Sequence, residues 1–162
     1  MATLVQQIDN AANVQPLIKE SLERIQARIV SQMSANKRNA SGKSVGSLRI
    51  ETTPVSGTLW GSSSFKFMET GRKGGAIPRG FSYIIAKWIQ DKGISVYNTP
   101  HDAAWHIARK IAERGTTLFP KGKPQDIYSK AIADEFEILT EKLGVRFGSA
   151  INYVNAEYAK TT

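Results

Sequence analysis

The chain has 162 residues and is 41% hydrophobic, enough for one domain with a core or for a compact domain with a helical extension. It has no cysteine, which excludes disulfides, thiolate metal sites and a cysteine nucleophile, and no apolar run approaches the ~18 residues of a bilayer span. Lys and Arg outnumber Asp and Glu by 22 to 14, giving +8, but the excess is dispersed and does not by itself select nucleic acid over an ordinary solvated surface.

Residues 1–15 lack a basic start followed by an apolar stretch, so no secretory signal is expected. Ile18, Leu22, Ile25, Ile29 and Met33 then recur at helical spacing, with Pro16 in the first turn. They predict a helix over about 15–35, broken by the small and polar residues 36–46. Leu48, Ile50 and Thr52 alternate with polar residues, and after a turn at 54–57 so do Leu59, Gly61, Ser63, Phe65 and Phe67. This two-residue period predicts a β-hairpin over about 45–68, weak at Gly61, with a bulge or an edge position open there.

Residues 67–80 read as a loop. Phe81, Ile84, Ile85, Trp88 and Ile89 predict a helix whose apolar stripe holds Trp88 in the core, with Gly93 as its left-handed cap. Thr99, Pro100 and Asp102 form a helix start, and Ala103, Ala104, Ile107, Ala108 and Ile111 give the buried face of a helix closed by Gly115. The two helices should pack as an antiparallel pair. Ile127, Ala131, Ile132 and Phe136 (with Leu139 and Leu143) form one stripe; after Gly144, Phe147, Ile151, Val154 and Tyr158 form another. One bent helix and two helices both fit. The expected class is α+β, a small antiparallel sheet packed with a long N-terminal helix and further helices. Its core spans residues 1–132, with a helical extension over 133–162.

Candidate chemistry is sparse. His101 and His106 are five apart and diverge on a helix, and Ser62–Ser64 lacks the frame of a nucleophile elbow. The run Gly71–Arg72–Lys73–Gly74–Gly75 has the composition of a phosphate loop without its GxxxxGK[ST] spacing. Glu20 with Glu23, and Glu135 with Glu137, read as solvated helix surface. Trp105 lies off the alanine and isoleucine stripe, which suits packing on the preceding helix or a subunit interface. No enzymatic activity, cofactor or metal is expected.

The motifs FMETGRKGGAIP at 67–78, IAKWIQDKGI at 85–94, AWHIARKIAERGTTLFPKG at 104–122 and QDIYSKAI at 125–132 come in a distinctive order. With NKRNASGKSVGSLRIE upstream at 36–51, this order resembles the tail-component and neck proteins of tailed phages, which include tail-completion and head–tail joining factors. The resemblance implies a strand ending in the aromatic, acidic and Gly-basic run, then a proline loop, then helices closing at a Gly-Thr turn. It implies a non-enzymatic virion subunit, made in a host cytoplasm, that forms rings between portal and tail. The implied partners are further copies of the chain, other neck, portal or tail proteins, and phage DNA passing through the lumen without sequence specificity; no membrane is involved. Candidate interface or lumen residues are Arg72, Lys73, Trp105, Phe147, Ile151 and Val154. A basic nucleic-acid-binding module is the reading from another class, motivated by the charge and by the loops at 37–43 and 72–79, and it expects steep salt dependence.

Overall fold

The computed structural model describes residues 13–95, 99–117 and 126–159, the Glu157 side chain excepted. The fold is α+β, with six helices and one two-stranded antiparallel sheet among these residues. In order they are α1 (Gln15–Ala35), α2 (Lys43–Gly46), β1 (Arg49–Thr52), β2 (Gly57–Trp60), α3 (Ser64–Thr70), α4 (Phe81–Asp91), α5 (Pro100–Arg114) and α6 (Ser129–Tyr158). The described residues divide into two compact units, each discontinuous in sequence. One holds 13–29, 49–60 and 130–159; the other holds 30–48, 61–95, 99–117 and 126–129.

In the first unit, α1 turns Ser21, Ile25 and Ile29 fully inward, with Ile18 and Leu22 half-buried on the same face, and Val14 just before the helix is buried too. This is the predicted stripe. Ile18 and Leu22 meet the hairpin at Gly57, where a Cβ would land on both side chains; the close approach explains why this strand begins with glycine. Gln15 Nε2 donates to Thr52 Oγ1 at 3.1 Å and ties the helix start to the end of β1. The strands pair Arg49 with Trp60 and Thr52 with Gly57. Their turn is held by the Thr53 N–H donating to the Ser56 carbonyl at 2.8 Å. On the outer face Trp60 Nε1 donates to Glu51 at 2.8 Å, and the Arg49 guanidinium lies 5.4 Å from the indole centre.

The second unit holds Met33, Phe65, Ile89, Ala104, Ala108 and Ile127 as its buried apolar side chains. Here the predicted second strand is corrected. Pairing stops at Trp60, and residues 64–70, expected as strand and loop, form α3. A Cβ at Gly61 would lie 3.1 Å from Phe65 and 3.2 Å from Leu48. The Ser62 N–H donates to Ser47 Oγ at 2.9 Å and turns the chain out of the ladder. Phe65 and Glu69, one helical turn apart, then face inward together, while Phe67 faces out. The Glu69 carboxylate is buried and accepts from the Ile127 N–H at 2.7 Å, the Tyr128 N–H at 3.2 Å and the Ser129 hydroxyl. An acidic side chain from α3 thereby satisfies the donors of the residues that lead into α6.

Helices α4 and α5 pack against one another. The α5 start is as expected: Thr99 Oγ1 accepts from the Asp102 N–H at 3.2 Å, with Pro100 at the first helical position. Gly93 has φ +61°, and the Ile94 N–H reaches the Ile89 carbonyl at 3.1 Å, the left-handed cap predicted for α4. The placement of Trp88 is corrected. Ile89 is 1% exposed, but Trp88 is 41% and Ile84 65% exposed. The apolar arc of α4 is wider than one neighbour covers. Helix α5 presents the small side chains Ala104 and Ala108, and the Phe81–Ile85–Ile89 edge suffices to fill that face.

Candidate interaction surfaces

The Gly-rich run at 71–75 crosses the end of α5 backbone to backbone. The Arg72 N–H donates to Thr116 Oγ1, the Thr116 N–H to the Arg72 carbonyl, and the Gly75 N–H to the Ala112 carbonyl, each at 2.8 Å. Gly115 has φ +75°, and a Cβ there would sit 2.5 Å from the Arg72 carbonyl oxygen. The glycines therefore serve close packing of two backbones, and these amides are occupied. Arg72 and Lys73 play different parts. The Arg72 guanidinium donates to the Ala76 carbonyl at 2.9 Å and lies 4.6 Å from the Phe81 ring centre, bracing the loop onto α4. Lys73 is exposed.

On α5 the Trp105 side chain is exposed, with the His106 ring edge-on at 5.1 Å and the Arg109 guanidinium 5.7 Å from its centre. Arg109 also pairs with Glu113 at 2.9 Å. His101 instead meets Tyr83, 5.4 Å between ring centres. The two histidines do not converge, and among the described residues no group of His, Asp and Glu is placed to hold a metal ion. Lys121 and Lys123 lie outside the described residues.

Helix α6 runs unbroken through Gly144 and Gly148 for 30 residues, about 45 Å. The predicted stripe is divided between its two sides. Ala131 and Glu135 are buried, while Ile132 and Phe136 face out. Glu135, expected on the surface, accepts from Arg24 Nε at 2.8 Å; Asp134 pairs with Arg28 at 2.5 Å, and Lys142 with Glu20 at 3.3 Å. The two long helices are joined through extended charged side chains, and this rotates the apolar line of α6 outward. Glu20 is held below the usual carboxylate value of 4.5, first by its hydrogen bond from Lys142 and then by Arg24. Arg24 is held above its ordinary value, chiefly by Glu135.

The outward line is continuous. Ile132, Phe136, Phe147, Ile151 and Val154 are all exposed, Phe136 at 68% and Ile151 at 60%, with Leu139 and Leu143 half-buried between them. By spacing the line reads as two stripes separated at Gly144. The signal was available: steps of four, three, four and four from Ile132 carry the register across Gly144 into the second stripe.

Neither a scan of protein-family models nor comparisons with curated proteins and solved structures gives a match. No described helix is long and apolar enough to cross a membrane.

Proposed function

We propose that this chain is a structural subunit of a tailed-phage neck or tail-completion assembly, a ring-forming component that links portal or connector to tail and works by being built in rather than by catalysis. The observation that carries the reading is the exposed apolar line of α6. Apolar surface on this scale marks a site of association, and in a closed ring each subunit covers its neighbour through a head-to-tail contact. The resemblance over residues 36–132 supplies the kind of assembly. Trp105 and Lys73, both exposed, are further contact candidates, whereas Arg72 acts first on its own loop.

The test is a double substitution, Phe147→Asp with Ile151→Asp. Both side chains are exposed, so the variant should melt like the parent protein yet fail to enter phage particles when it replaces it. A variant that enters particles at the parent level would overturn the proposal.

A further inference from the structure

The second unit contains an open cleft of about 760 Å³ between the loop after α1 and the outer face of α4. Its floor is apolar: Met68 from α3, with Ile84 and Trp88 from α4, the side chains that α5 leaves uncovered. Its rim is basic. Lys37, Arg38, Lys43, Lys87 and Lys92 line it against one carboxylate, Asp91, which Lys87 already engages at 3.1 Å. The loop wall is held from below, because the Lys92 ammonium donates to the carbonyls of Lys37 and Asn39 and Arg38 donates to the Met68 carbonyl at 3.3 Å. Lys37 stands at φ +51°, a left-handed cap position where glycine or asparagine is the usual occupant, and its side chain stays exposed at the mouth. A lysine kept in that conformation, at the edge of an uncovered tryptophan, is the kind of local strain that accompanies function.

We propose that this cleft binds an acidic protein segment that inserts an apolar side chain over Trp88 and Ile84 while its carboxylates face Lys37 and Lys43. The apolar floor fits a buried anchor, and the unbalanced positive rim supplies electrostatic complementarity, which sets partner choice and encounter rate. A nucleic acid would use the cations and the indole but leave Met68 and Ile84 without a role. The inference rests on the assembly reading for the source of the segment, an adjoining protein of the particle, but the binding itself belongs to the isolated chain.

The probe is a short synthetic peptide of glutamates interrupted by leucines. It is titrated into the full chain while the indole N–H signals of Trp60, Trp88 and Trp105 are followed by NMR. The Trp88 signal should shift saturably and the Trp60 signal should not. Lys37→Glu with Lys43→Glu should weaken binding about tenfold or more, whereas Lys110→Glu with Lys130→Glu, an equivalent charge change at exposed positions elsewhere, should not. A lysine–leucine peptide should leave Trp88 unmoved. No Trp88 shift with the acidic peptide, equal loss in the Lys110→Glu with Lys130→Glu control, or tighter binding of oligothymidylate at the same site would each overturn the proposal. A chain that binds the peptide yet enters no phage particle would sink the assembly reading alone.

Discussion

Single residues show how local chemistry was redirected by partners distant in sequence. Glu69 belongs to a run that reads as loop, yet its carboxylate accepts from Ile127, Tyr128 and Ser129. Replacing it with Ala leaves those donors without an acceptor in a buried place, and should cost about 3 kcal/mol in chemical denaturation. Gly115 is the most constrained glycine, because both its dihedral and the Arg72 carbonyl exclude a side chain. Gly115→Ala should therefore lower stability by at least about 3 kcal/mol. Trp88 and Ile89 make a paired test of the α4 register. Ile89→Ala should cost about 2–5 kcal/mol, whereas Trp88→Ala should cost about 1 kcal/mol despite removing the larger side chain. Equal losses, or a larger one at Trp88, would contradict the observed orientation of α4.

At the scale of elements, periodicity was informative wherever a helix met one continuous partner face. The stripe of α1, the Thr99–Asp102 start and the Gly93 and Gly115 ends were legible because each depends on residues a turn apart. Helix α3 was not, since Phe65 and Phe67 alternate as a strand would while the deciding pair, Phe65 and Glu69, joins an apolar residue to an acid. The burial of Glu135 was not legible for an electrostatic reason: Glu135 turns inward to Arg24 while Asp134 pairs with Arg28 nearer the surface, and no pattern in α6 alone reveals those arginines. The candidate contact residues Trp105, Phe147, Ile151 and Val154 lie on exposed faces, and Ile132 and Phe136 of α6 are exposed as well. The charged joint also sets a pH response. Glu20 is depressed below 4.5 by Lys142 and Arg24, so its contribution is present above that value and is lost as pH falls through the lower folded-state value. Urea unfolding followed by circular dichroism should show a small drop in stability through that window, and Lys142→Met should diminish this transition. A transition of the same size in that variant would remove Glu20 from the account.

For the whole molecule, each unit has its own buried side chains, yet a helix of about 45 Å still carries apolar residues along its outer side. Assembly is the physical remedy for such a face, and a subunit whose purpose is assembly can leave it uncovered until neighbours arrive. The measurement that bears most directly on this is electron imaging of the purified protein across a range of concentrations, alongside Phe136→Asp. The account predicts closed rings of uniform size for the parent protein and single subunits for the variant. A parent protein that stays monomeric at every concentration, or a variant that forms the same rings, would contradict it.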